Sequence, residues 1–207
     1  MLRFIHGSEL AALGRLQDTM FRDRASQFRD RLGWAVSVDE NDHERDAYDA
    51  LDPLYVIWER PDGSHGGSMR FLPTTGRTML AEHFADLLGG RRLADPGIWE
   101  CTRFCLAVGA PPGVSAALML GGAQVGLSFG LRQAAGVFDA RMVRIYSLLG
   151  WPPEIVASRG SGADRISLGL WTFSAAIHAA LAARAGISAD LVRHWFLRSR
   201  PGLRRAA

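Results

Sequence analysis

The order of helical and extended segments predicts an α/β protein, a single three-layer α-β-α domain around a mixed central sheet. Three observations lead there. A chain of 207 residues with 48% apolar content suits one domain with a sizeable core. Strand-like runs are interleaved with helical ones in an irregular order, which calls for a mixed sheet with helices on both faces. Internal repeats and low-complexity stretches are absent, and a charged fraction of 22% is ordinary for a globular chain.

Ser8, followed by Glu9, Leu10, Leu13, Leu16, Met20 and Phe21, predicts an N-capped amphipathic helix that stops before Gly33. Residues 34–53 are polar and acidic. The alternation Trp34, Val36, Val38 predicts a short strand or ordered loop there, leading into an exposed acidic stretch. Leu54 to Trp58 and Gly67 to Leu72 read as strands joined by the turn Pro61-Asp62-Gly63. Thr78 to Leu88 reads as a helix closed by Gly89-Gly90, and Ile98 to Val108 as the central strand. After Pro111-Pro112 a long Ala/Gly/Leu helix is expected over 114–135, then a short strand near Gly136 to Phe138. Arg141 to Leu149 is helical up to Gly150. Ile155 to Ala157 and Ile166 to Trp171 are further strands, and helices follow from Ser174.

Composition excludes some chemistries. All 24 basic residues are Arg, so neither a lysine Schiff base nor a P-loop lysine is available. Residues 1–60 carry a net charge of −4 and the remainder +7, with Arg198, Arg200, Arg204 and Arg205 close together near the end. An acidic front and a basic back suit a cationic ligand and an anionic partner, and equally suit solvated faces of no consequence. Cys101 and Cys105 match neither zinc nor C-x-x-C spacing, and on one strand would share a face as small core residues. No metal site is expected. No window approaches the roughly 18 apolar residues of a membrane span. The first residues lack the apolar core of a signal peptide, so a cytoplasmic protein is expected.

One ordered set of charged and aromatic residues stands out: Arg24 and Phe28, Trp34, Asp46-Ala47-Tyr48-Asp49, Tyr55-Val56-Ile57, Met69-Arg70-Phe71-Leu72-Pro73, then Trp99-Glu100-Cys101-Thr102-Arg103-Phe104. This set resembles the N-acyl-homoserine-lactone (autoinducer) synthase family across most of the first half of the chain. The second half resembles it loosely, through Arg141-Met142 and Gly150-Trp151-Pro152. The resemblance implies a fold similar to the acetyltransferase superfamily. It also implies an acyltransferase that makes a quorum-sensing signal from S-adenosylmethionine, as a substrate rather than a cofactor, and an acyl thioester. The acyl donor would be acyl-carrier protein or acyl-CoA, and the products an acyl-homoserine lactone, 5′-methylthioadenosine and the free carrier.

The residue types suit that substrate. Aromatic faces attract a sulfonium by about 0.5–2 kcal/mol, which Phe28, Trp34 and Phe84 can supply. A guanidinium holds a carboxylate through paired bonds, so Arg24, Arg70 or Arg103 can anchor the α-carboxylate. Asp46 and Asp49 either bind the ammonium or hold those arginines. Glu100 is the candidate base, directly or through a water, and Thr102 a candidate hydrogen-bonding partner of the acyl carbonyl or a water. On a regular strand Glu100 and Arg103 face opposite ways, so serving one site together requires a bulge between them or a supporting role for one. Leu106, Met119, Leu120, Phe129, Phe138 and Met142 are candidates for an acyl tunnel or for ordinary core. Arg132, Arg141, Arg144 and Arg159 are candidates for docking the carrier.

Three rival functions compete with this one. An ordinary N-acetyltransferase would want a basic, Gly-rich turn after the central strand, where this chain has Val108-Gly109-Ala110-Pro111-Pro112-Gly113-Val114. Nucleic-acid binding would need more than the one recognition-like segment Ile187 to Arg193, and no nucleic acid is expected. A non-catalytic S-adenosylmethionine sensor is disfavoured by the presence of Glu100.

Overall fold

Seven strands make one sheet in the computed structural model, which describes residues 1–199. They are β1 (Leu2–His6), β2 (Leu54–Glu59), β3 (His65–Pro73), β4 (Ile98–Leu106), β5 (Gln133–Asp139), β6 (Glu154–Arg159) and β7 (Ile166–Thr172), in the spatial order β1-β2-β3-β4-β5-β7-β6. The helices are α1 (Gly7–Leu10), α2 (Gly14–Ala25), α3 (Met79–His83), α4 (Val114–Ser128), α5 (Ala140–Leu149), α6 (Ala175–Ala185) and α7 (Ala189–Arg198). Arg200, Arg204 and Arg205 of the basic tail lie outside the described residues.

The alternation of each strand sorts the core into two layers. Ile5, Tyr55 and Ile57 pack against Leu10, Leu16, Met20 and Phe21 on the side of α1 and α2. Leu2, Phe4, Val56, Met69 and Phe71 pack on the other side against Leu118 and Val125 of α4, with Leu181, Val192 and Phe196 from α6 and α7. α4 is buried nearly all round, which explains its near-absence of polar residues. No single helix among the described residues is long and apolar enough to cross a membrane. The pair α6 and α7 passes by length and composition only, is bent by 101°, and contributes to the core.

Every strand pairing is antiparallel except β4 with β5, which are parallel and paired only over Ile98–Glu100 and Gln133–Ala135. Beyond Glu100 the two strands part. β4 stays with β3, while β5 remains paired to β7 as far as Asp139. The wedge between them is where a ligand can enter the sheet.

A second irregularity sits on the same strand. Ser68 pairs Cys105 and Arg70 pairs Thr102, so β4 carries one extra residue, and Arg103 there takes φ +54°. This bulge turns Arg103 toward the side of Thr102, so Arg103 meets the α2 layer together with Glu100 and Thr102. The same extra residue separates the cysteines expected to share a face. Cys101 Sγ contacts Met69 Sδ on the α4 side, whereas Cys105 Sγ lies 3.5 Å from the Asp23 carbonyl of α2.

The structure amends the sequence reading elsewhere too. β1 was not anticipated; five residues are too few for a periodic signal, and Leu2–His6 is a strand because β2 pairs with it. The first helix breaks between Leu10 and Gly14, and its second half runs on through a π-type turn, Ser26–Arg31, to Gly33 at φ +66°. Residues 34–53 hold only the isolated bridge Val38–Glu44 and a 3₁₀ turn, Asp49–Leu51. They are not simply an exposed acidic stretch, since Glu44 and Tyr48 are buried. The expected 78–88 helix is α3 capped by the Thr78 hydroxyl, then a 3₁₀ turn, Ala85–Leu88. α4 ends at Ser128 rather than 135, because Gly130 at φ +64° reverses the chain and Gln133 already pairs in β5.

Candidate active site

Four elements deliver charge to one place. Arg24 comes from the last turn of α2, Arg70 from β3, and Arg103 from the bulge of β4. The loop after the π-type turn brings Glu44, Asp46 and Asp49 over them. Arg24 donates from Nε to Glu44 Oε2 at 2.6 Å and from both terminal nitrogens to the two oxygens of Asp49 at 2.9 Å each. Arg70 donates to Asp46 at 2.5 and 2.9 Å, to Asp49 at 2.7 Å, and from Nε to the Thr102 hydroxyl at 3.1 Å. Arg103 spans Glu44 Oε1 at 2.9 Å and Asp46 Oδ2 at 2.8 Å. The Tyr55 hydroxyl closes the set on Asp49 at 2.5 Å.

Arg24, Glu44 and Arg70 are fully buried, so each carries a desolvation cost that only its partners offset. Burial pushes the Asp49 carboxyl up, but the charges of Arg24 and Arg70 outweigh it and hold Asp49 well below the usual carboxylate range. Burial likewise works against the Arg24 charge, and Asp49 and Glu44 outweigh it. Three cations are locked by three anions into a rigid lattice, and its exposed edge is Asp46 and Arg103.

That edge forms the wall of a cavity of about 630 Å³, within the range of ligand sites. Asp46, Thr102, Arg103, Phe28, Trp34 and Phe84 line it; Arg24, Asp49, Arg70 and Glu100 do not. The π-type turn lays Trp34 on Phe28, stacked at 5.2 Å and 11°, with the Arg103 guanidinium 5.3 Å from the Phe28 ring centre. Phe28 therefore already faces a cation of the protein. Trp34, 43% exposed, is the aromatic face more open to a ligand. Phe84 has Arg159 over its ring at 5.2 Å.

Glu100 sits behind the wall. Its carboxylate accepts from the backbone N–H groups of Met79 at 3.0 Å and Leu80 at 2.5 Å, at the N-terminus of α3. Burial raises its pKa, opposed by those N–H groups and by Arg70. Met79, the residue it anchors, reaches the cavity.

Past the β4–β5 wedge the cavity turns apolar. Met119, Phe138 and Met142 line it; Leu106, Leu120 and Phe129 do not. Leu106 packs beside Gly67, where a Cβ would come within 3.0 Å of Leu106 Cδ2, and Phe129 packs on Trp99 at 4.9 Å. Of the four arginines considered for docking, Arg141, Arg144 and Arg159 belong to the region where β5 and β6 end, with Arg141 on the cavity lining. Arg132 precedes β5 and pairs with Asp95 at 2.6 Å; a seven-residue strand, about 20 Å long, separates it from that group. Among the described residues no group of three or more His, Cys, Asp or Glu is placed to hold a metal.

Residues 11–171 match the family model described as autoinducer synthase. The chain belongs to that family. This autoinducer synthase is 40% identical over 182 residues to an acyl-homoserine-lactone synthase of Rhizobium etli, covering 84% of this chain and 85% of the relative. It is thus an acyltransferase family member of the quorum-sensing kind. In fold it is similar to a CoA-dependent acyl-homoserine lactone synthase, BjaI, solved with SAM and isopentyl-CoA (TM-score 0.80, 19% identity, 94% of this chain and 98% of that one). It is more distantly similar to an N-acetyltransferase from Lactobacillus plantarum (TM-score 0.56, 14% identity, 84% and 99%). The α/β fold expected of the acetyltransferase superfamily is the one observed.

Sequence reasoning missed several residues that this autoinducer synthase uses to build the site. Glu44 bridges Arg24 and Arg103, yet in sequence it is one acid among many in an acidic stretch. Tyr55 looked like part of an apolar strand. Tyr48 holds Glu82 through its hydroxyl at 2.9 Å and lies under Arg70 at 5.5 Å. The available signal was the parity of β2, which puts Tyr55 on the same face as Ile57 and opposite Arg70 in register.

Proposed function

We propose that this chain acylates the α-amine of S-adenosylmethionine with an acyl thioester and then closes the homoserine lactone. The observation that carries the reading is the edge of the buried lattice. Asp46, Arg103 and Thr102 meet the open face of Trp34 at a cavity that continues through the sheet into an apolar chamber. A cationic, carboxylated substrate fits the first part and an acyl chain the second.

In this reading Arg103 holds the substrate carboxylate, Asp46 its ammonium, and Trp34 the sulfonium, with Phe28 and Phe84 flanking. Arg24, Arg70 and Asp49 keep Asp46 and Arg103 in place. The amine must lose a proton before it attacks. Glu100, with its raised pKa, takes that proton through a water, since it stands behind the wall. The nitrogen lone pair attacks the thioester carbon and the C–S bond breaks. The thiolate leaves as a thiol by taking the second proton, the one the nitrogen sheds as it becomes an amide, while the first passes from Glu100 to solvent. Thr102 and backbone N–H groups freed by the bulge and by the parting of the strands serve the oxyanion. The carboxylate oxygen then attacks the carbon next to the sulfonium, and 5′-methylthioadenosine leaves as a neutral molecule. Here positioning is the catalytic task.

BjaI, a structural neighbour, is CoA-dependent, which supports a thioester donor of that kind. Carrier protein remains the other donor in the reading. Met119, Phe138 and Met142 take the acyl chain, and Arg141, Arg144 and Arg159 meet the anionic donor. The cytoplasm, which holds both substrates, is the compartment we propose. The test is to incubate the purified chain with S-adenosylmethionine and acyl-CoA or acyl-carrier protein, following methylthioadenosine by chromatography and the lactone by mass spectrometry. Lactone with stoichiometric methylthioadenosine is expected; acyl transfer to other amines without methylthioadenosine would overturn the reading.

A further inference from the structure

The apolar chamber contains one hydrogen-bonding group that the protein leaves uncommitted. Tyr146 on α5 is 8% exposed and lines the cavity, boxed by Trp171 at 4.9 Å, Phe138 at 5.3 Å and Phe104 at 6.4 Å, all edge to face. Among the described residues its hydroxyl has no hydrogen-bond partner. Among the described residues two buried side-chain polar atoms are sealed in protein without one, Arg60 Nε and His65 Nε2, and the Tyr146 hydroxyl is not among them. It therefore opens onto cavity space. Its polar neighbours in that chamber are committed. The Trp171 indole N–H donates to the Trp151 carbonyl at 2.9 Å and Cys101 Sγ to Met69 Sδ.

A phenol held by three rings and given no protein partner is left to bond whatever enters the cavity, water or ligand. Phe would fill the same space without offering that bond. Burial raises the Tyr146 pKa, and the nearby Cys101 and Asp139 add to the shift, so the group is a neutral O–H donor throughout the physiological range. We infer that Tyr146 is a specificity-determining residue whose hydroxyl bonds an oxygen substituent on the acyl chain, so that this enzyme prefers acyl donors bearing a ketone or hydroxyl over plain chains of equal length. The inference rests on the proposed reaction and adds a class of acyl group to it. A site built to bond an oxygen discriminates against the chain lacking one more sharply than a hydrophobic pocket discriminates a methylene.

The experiment compares kcat/KM for 3-oxo-, 3-hydroxy- and unsubstituted acyl-CoA thioesters of one chain length, in the parent and in Tyr146→Phe. The substitution removes one oxygen and keeps the ring packing, and thermal melting of the two proteins checks that. The parent is expected to favour one or both oxygenated donors, and Tyr146→Phe to reduce that preference about tenfold, chiefly by slowing the oxygenated donors. Tyr146→Leu, which removes the ring as well, should lose the same preference. An equal fall for all donors in Tyr146→Phe would place the hydroxyl on a group common to every thioester and overturn the inference, as would an unchanged ratio. If the parent releases no methylthioadenosine with any donor, the underlying reaction fails instead.

Discussion

Replacing Arg24 with Ala would leave the unexposed Glu44 carboxylate, and both oxygens of Asp49, short of a cation. Breaking a buried pair from one side costs about 3–5 kcal/mol, so urea unfolding should show a loss of that order, far beyond the effect of an exposed pair such as Arg15–Asp62. Asp49 adds a pH dependence of definite sign. Its folded pKa is depressed, so its contribution is complete above the ordinary Asp value of about 4 and is lost as pH falls below it. Glu100 runs the other way. Its raised pKa makes its contribution greatest at low pH and lost as pH rises through the folded value. Stability should therefore fall on acidification below about pH 4, and an Asp49→Asn variant, less stable at neutral pH, should show a shallower acid limb. An identical limb in both proteins would remove Asp49 as its source. For Glu100→Gln, methylthioadenosine release should slow on the order of 10²–10⁴-fold while S-adenosylmethionine affinity is nearly kept. A parent-like rate would leave Glu100 as only the anchor of α3.

Strand β4 shows how one extra residue reorganises a site. The bulge at Arg103 brings Thr102 and Arg103 to one side, and sends Cys101 and Cys105 to opposite layers. Its cost lies in the left-handed backbone, φ +54°, of a residue with a Cβ. Arg103→Ala and Arg103→Gly both lose the bonds to Glu44 and Asp46, but only Ala keeps the backbone strain. The Gly variant should be the more stable of the two by about 1 kcal/mol in urea, with activity low in both. The reverse order would mean that the bulge relaxes once the guanidinium is gone. The two halves of the wedge differ in how they could be anticipated. The β4 segment Trp99 to Phe104 is distinctive in sequence. β5 begins earlier than the expected Gly136 because Ala134, Ala135 and Gly136 carry no strand signal of their own, and Gly136 stands where a Cβ would meet Trp171 and the Cys101 carbonyl.

Across the molecule the lattice, the wedge and the chamber form one path. Filling its far end should change the product rather than the first substrate. Met119→Trp is expected to shift the lactones seen by mass spectrometry toward shorter acyl chains, with S-adenosylmethionine affinity unchanged. Chain lengths identical to the parent's would place the acyl group elsewhere. The α/β class, most element positions and the ordered charged set were legible in the sequence, because apolar periodicity and unusual residue types are local signals. The strand at Leu2–His6 and the burial of Glu44 were not, because each is settled by a partner distant in the chain: β2 pairing β1, and Arg24 and Arg103 meeting one carboxylate. Local chemistry named the candidate groups. Burial and register, which depend on residues far apart in the chain, assigned them places: Asp46 and Arg103 at the cavity, Arg24 and Glu100 behind it, and Tyr146 with its hydroxyl unbonded in the apolar end.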